Sequence, residues 1–168
     1  MKGFVRLLSM ISNRAFIDCA LTFRGGYCGL PGKIKICPAD NEYFWDDFKA
    51  RIEEFLYDIS AANERYKGRP SFPYPYPGLI SCEIIYVVLS KNKRAKTMKV
   101  YITYETEKHG SWYTSVDIRI DDFCNPSYIS EYTKKLRSVT LEKLEGKIRK
   151  NEEKLERLKK TYETFKNL

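Results

Sequence analysis

Apolar and polar positions keep two different rhythms along this chain, and the changes between them mark out its elements. The longest regular pattern lies at the C-terminal end. Leu141, Leu144, Ile148, Asn151, Leu155, Leu158, Tyr162 and Phe165 recur at alternating spacings of three and four, four heptads with Asn151 as the one polar position. A seam of this kind is buried only when another helix lies along it. Thr140 is placed to cap the helix, with Val139 stapled onto Leu144. Just upstream, Asn125-Pro126 predicts the start of a separate short helix ending near Arg137.

Towards the N-terminus the period alternates between elements. Phe4, Leu7, Leu8 and Ile11 suit a short helix. Ile17, Cys19, Leu21 and Phe23 then alternate with Phe16, Asp18, Ala20 and Thr22, which predicts a half-buried strand from Ala15. The glycines from Gly25 to Gly32 mark a loop, and Lys33 to Cys37 a short returning strand. With Asp40 or Asn41 as N-cap, Phe44, Phe48, Ile52, Phe55, Ile59 and Ala62 trace one face of a helix, widened by Trp45 and Leu56 and ending near Tyr66 to Gly68. The four prolines of residues 69–78 exclude helix and predict an extended connector pinned by Phe72, Tyr74 and Tyr76.

Three strands follow. Leu79 to Ser90 is apolar on both faces in its second half, as an inner strand is. Met98, Val100, Ile102 and Tyr104 form the inward set of the next, and Thr114, Val116, Ile118 and Ile120 that of the third. The links between them are of hairpin length, so the expected unit is an antiparallel meander. The predicted fold class is α+β. An antiparallel sheet, a three-stranded meander plus one or two N-terminal strands, packs with a central helix, followed by a long C-terminal heptad helix. Residues 1–139 form the α+β domain and 140–168 the coiled-coil-like helix, within one folding unit.

Composition changes this picture in a few places. Apolar content of 43% with 14% aromatic residues excludes a disordered chain. No apolar run approaches the roughly 20 residues of a membrane helix, and Arg6 interrupts the N-terminal apolar stretch that would otherwise resemble a signal peptide. The expected location is cytoplasmic, with no membrane partner. The odd count of 5 cysteines favours reduced thiols. The net charge of +8 favours an anionic partner or an acidic protein surface. It is unevenly spread: residues 1–39 carry +5, 40–66 carry −5, 91–99 carry +5 and 100–125 carry −3.

The candidate chemistry is thin. The loop from Gly26 to Lys33 has five residues between Gly26 and Gly32 and ends Lys33-Ile34, which misses the P-loop spacing and its hydroxyl. Cys19, Cys28 and Cys37 lie too far apart for the close pairs of a zinc site, and Cys82 and Cys124 lie on their own. His109, the single histidine, sits at a hairpin tip, a poor place to orient a general base. Asp47, Arg51, Glu54 and Asp58 share a helix face that reads as i,i+4 pairing rather than a cation site. Pro70 to Pro73 makes a PxxP spacing inside the connector. An enzyme would have to draw on Cys28, His109, Asp47 and Glu54, which no pattern places together. No metal, cofactor or catalytic residue is expected.

Two surfaces remain. The first is basic: Lys91, Lys93, Arg94, Lys96 and Lys99, with Tyr101, Tyr113 and Arg119 on the same outer sheet face, a set that can contact phosphates and stack on unpaired bases. Glu83, Glu105 and Asp117 dilute it. The second is the heptad seam. From Thr140 the helix would run about 42 Å, longer than a domain of this size covers, which favours intermolecular use, a homodimer through the helix included. Folding back onto the 41–66 helix or the sheet is the competing arrangement. In a parallel homodimer Lys147 would attract Glu152 while Lys154 would repel Lys159, so the flanks leave orientation open.

The function expected is that of a non-enzymatic interaction protein whose partner is a protein or ribonucleoprotein. An inhibitor or regulator of a nucleic-acid-handling protein fits, such as the host-defence inhibitors of phages and mobile elements, anti-CRISPRs among them. Direct RNA or DNA binding through the basic hairpin and sheet tyrosines is the alternative, and an enzyme of unrecognised class the second.

Overall fold

Helix α1 (Asn13–Thr22), strand β1 (Lys33–Ile36), helix α2 (Glu42–Arg65) and strands β2 (Leu79–Ser90), β3 (Thr97–Thr106) and β4 (Trp112–Arg119) precede helices α3 (Ile120–Cys124) and α4 (Tyr128–Lys166). The computed structural model describes residues 12–22, 32–37, 42–66, 79–90, 92, 95–106 and 110–167. Residues 4–11 of the expected first helix, the glycine loop up to Pro31, the caps Asp40 and Asn41, the proline connector and His109 lie outside these residues.

The four strands form one antiparallel sheet in the order β1-β2-β3-β4. Its inner face carries Ile34, Ile36, Ile84, Val87, Leu89, Met98, Val100, Ile102, Val116 and Ile118, all buried. The buried stripe of α2 closes over it, from Phe44 to Ala62. Large apolar residues spaced three and four apart over about five turns leave this helix no other way to cover itself. The fold is α+β, with a helix packed on a four-stranded sheet and a long C-terminal helix.

β1 pairs only with the last residues of β2, from Val87 to Ser90. Before that point β2 presents an open edge to α2, whose polar side chains take its amides. The Leu79 N–H donates to Ser60 Oγ at 3.0 Å and the Cys82 N–H to the Tyr57 hydroxyl oxygen at 3.0 Å. The Ile84 N–H donates to the Glu53 carboxylate. Glu53, Tyr57 and Ser60 stand one above the other at helical spacing, so the helix satisfies an edge that would otherwise pair with a foreign strand.

The residues from Ala15 form a helix, not the strand that alternation predicts. Ile17 and Leu21 are four apart, in phase with both a strand and a helix, and both pack on the core. Local chemistry decides between the two. The Ser12 hydroxyl accepts a hydrogen bond from the Ala15 N–H at 3.2 Å, as an N-cap does, and Arg14 pairs with Asp18 one turn on at 3.7 Å. At the end of β4, Ile120 opens α3 instead of extending the strand; its side chain stays buried and its N–H still reaches the Lys96 carbonyl at 2.9 Å.

The short helix and capped heptad helix expected after Asn125 are one helix of 39 residues, about 58 Å long. Asn125 does turn the chain: its side-chain oxygen accepts from the Ser127 N–H at 2.9 Å. Thr140 caps nothing. The helix passes through Ser138, Val139 and Thr140 without a glycine or proline to stop it, and the Thr140 hydroxyl donates to the Tyr66 carbonyl at 3.2 Å. Val139 and Leu144 therefore lie within the helix, not across its start.

The base of α4 is fastened by an aromatic column. Phe123 meets Phe55 edge-on at 5.5 Å, Phe55 stacks with Tyr128 at 5.8 Å, and Tyr128 with Tyr132 at 5.8 Å. The Tyr132 hydroxyl donates to Asn63 Oδ1 at 2.6 Å, and Asn63 is fully buried. Burial, and after it Asp122 close by, push the Tyr128 hydroxyl well above the ordinary tyrosine range.

Candidate interaction surfaces

Beyond its base, α4 is bare. Exposure of the stripe rises from 48% at Leu141 and 49% at Leu144 to 72% at Phe165, and Asn151 is exposed as well. Ile148, Leu155, Leu158 and Tyr162 all exceed half exposure. No described residue covers these side chains, so the arrangement in which the helix folds back on α2 is overturned. The reason is geometric. α2 already buries its apolar face on the sheet, and the aromatic column and Asn63 fix the base of α4 in a direction that carries the rest past the body. A row of large apolar residues on one side of a solvated helix is unusual for a surface with no partner.

The outer face of the sheet is the second surface. Tyr86 and Tyr101 are cross-strand neighbours with stacked rings 4.3 Å apart, and Tyr113 lies 6.4 Å beyond Tyr101. Lys35 Nζ sits 4.1 Å above the Tyr86 ring, a cation–π contact. Hydrogen bonding with Tyr113, then burial and the neighbouring phenols, push the Tyr86 hydroxyl up to about 12. The row thus runs across all four strands: a cation, then three phenols.

Tyr86 and Lys35 are absent from the sequence-derived set, and for Tyr86 a bulge explains the omission. Ile84 and Val87 both point inward although three residues apart, because the β2 register shifts between Ile84 and Tyr86 and turns two successive residues, Ile85 and Tyr86, outward. The expected cations are less available than their number suggests. Lys99 reaches Asp117 at 4.0 Å and Arg119 reaches Asp122 at 3.7 Å, while Lys96 is exposed. Lys91, Lys93 and Arg94 lie outside the described residues.

The acidic group on α2 is taken up in structure. Arg51 Nε donates to Asp47 Oδ2 at 3.0 Å and Arg51 Nη1 to Asn13 Oδ1 at 2.8 Å, and Asn13 Nδ2 donates to the Phe123 carbonyl at 2.8 Å. These bonds tie α1, α2 and α3 together. Glu54 and Asp58 face solvent. Among the described residues no group of three His, Cys, Asp or Glu is placed to hold a metal, and no helix is long and apolar enough to cross a membrane. Cys82 is buried among apolar neighbours. That burial, with Glu53 second, pushes its thiol up to about 12. Cys28 lies outside the described residues.

Comparison with protein-family models, curated proteins and solved structures returned no match for this chain.

Proposed function

We propose that this is an interaction protein that works by contact, using the stripe on α4 as a docking surface for a helix of another polypeptide. The observation that carries the reading is the bare stripe itself, at least 48% exposed at every large apolar position from Leu141 to Phe165. An amphipathic helix of this kind lays its apolar side along another helix, with anchors three and four apart.

Affinity capture tests it. The tagged full chain is incubated with a native extract supplemented with untagged copies of itself, with and without nuclease, beside a variant carrying Ile148→Glu and Leu155→Glu. Polypeptides retained by the wild type after nuclease and lost from the variant are expected. Equal capture by both proteins refutes the docking surface.

The tyrosine row favours a second reading, single-stranded nucleic-acid binding. Stacking on aromatic rings contributes about 1–3 kcal/mol per base, so Tyr101→Ala should weaken binding of a labelled oligoribonucleotide at low salt by roughly tenfold or more. Unchanged binding in that variant removes the reading.

A further inference from the structure

Once α4 is known to be continuous and bare, the residues beside its stripe restrict what can lie along it. On one flank stand Glu145, Glu152, Lys159 and Lys166, acidic towards the body and basic towards the tip. The other flank carries Lys147 and Lys154 between Thr140 and Thr161. A copy laid parallel meets this pattern badly: Lys147 finds Glu152, but Lys154 faces Lys159.

Reversal of the copy changes the outcome. In an antiparallel pair each flank meets the same flank of its mate, and a series running from acid to base complements itself when reversed. With Leu155 set against Leu158 of the second copy, Glu152 faces Lys159 and Glu145 faces Lys166, each twice by symmetry. On the other flank Lys154 meets Thr161, so no like charges are opposed. The same register sets Ile148 against Phe165 and places Asn151 beside Tyr162, whose hydroxyl offers its amide a partner in the seam. A slip of one heptad in either direction loses this, because Glu152 then opposes Glu152, or Lys159 opposes Lys159.

We infer that the occupant of the stripe is a second copy of this chain, its α4 antiparallel and in the register Leu155 to Leu158. The two α+β bodies then stand at opposite ends of the paired arms. Leu141 and Leu144, the stripe positions nearest each body, are its least exposed at 48% and 49%. The inference rests on the stripe being a docking surface and adds its partner and direction.

Sedimentation equilibrium on the full chain, with circular dichroism to confirm helix content, tests it. The wild type is expected to be a dimer and Ile148→Glu a monomer. Glu145→Lys turns two attractions into two repulsions and should weaken the dimer roughly tenfold; adding Lys166→Glu should restore it. In a parallel pair Glu145 and Lys166 face only Thr140 and Thr161. A dimer broken by Ile148→Glu but indifferent to Glu145→Lys therefore overturns the antiparallel register and leaves the docking surface standing. A monomeric wild type that still captures another polypeptide in an Ile148-dependent manner overturns the second copy alone. If Ile148→Glu alters neither assembly nor capture, both the inference and the docking surface fall.

Discussion

Replacing Tyr132 by Phe removes a single hydroxyl and keeps the ring that stacks on Tyr128 at 5.8 Å. The lost group donates at 2.6 Å to Asn63 Oδ1, at a residue with 0% exposure. A buried acceptor that loses a charge-neutral donor costs about 1–3 kcal/mol, and the full burial of Asn63 beside a half-buried Tyr132 argues for about 2. For a chain of this length that is a fall in melting temperature of about 4–8 °C. Thermal and urea unfolding followed by circular dichroism measure it. A double-mutant cycle with Asn63→Ala separates the bond from the cavity that the second substitution leaves, and a coupling of at least about 1 kcal/mol is expected. Because the bond lies at the base of α4, the stripe further out should keep its helicity in the folded state. A Tyr132→Phe protein within about 0.3 kcal/mol of wild type, or an effect unchanged when Asn63 is already Ala, refutes the proposed anchoring.

Other outcomes follow from single sites. Gly146 sits on the side of α4 away from the stripe with open space around it, so Gly146→Ala should stabilise the helix by up to about 1 kcal/mol in urea unfolding, without altering assembly. The Glu53 carboxyl is raised mainly by burial, against the lowering effects of Lys49 and the Ile84 amide. The folded state therefore holds this proton more firmly than the unfolded chain does, and the ionised group costs stability at neutral pH. Glu53→Gln keeps an acceptor for the Ile84 N–H. It should raise the urea midpoint at pH 7, an advantage that shrinks as pH falls through the elevated folded value; an advantage that grows on acidification contradicts the sign. Cys82, with its thiol pushed up to about 12, should resist alkylation in the folded protein at pH 8 and react only on unfolding, while half-buried Cys37 reacts before it. Peptide mapping after a timed pulse of alkylating agent reads both sites.

The parts of this fold legible in the sequence are those where one face is long and chemically uniform. The α2 stripe and the inward sets of β3 and β4 repeat a single period often enough to set both element and orientation. Legibility fails where two periods coincide. Ile17 and Leu21 serve a strand or a helix equally, and the Ser12 cap that decides between them is one hydrogen bond. It fails again at Tyr86, because the all-apolar run from Ile84 to Leu89 hides the bulge that turns this ring outward. At Thr140 a residue type suited to a helix start finds a tertiary acceptor, the Tyr66 carbonyl, and the helix runs on. Lys99 looks like a free cation until register brings Asp117 beside it. The heptad stripe is plain from the sequence, but whether the body covers it depends on the direction in which Asn63 and the aromatic column hold α4.

Because α4 passes from those contacts to its tip with no joint, it transmits rotation as a shaft does. Removing one residue between Thr140 and Ile148 would swing everything beyond it by about 100° and draw it in by about 1.5 Å, whereas removing seven would return the outer face to within about 20° of its original heading. Whatever docks on the far end would thereby be clocked against the tyrosine row on the sheet, and the length of this segment is under the same constraint as the side chains of the stripe.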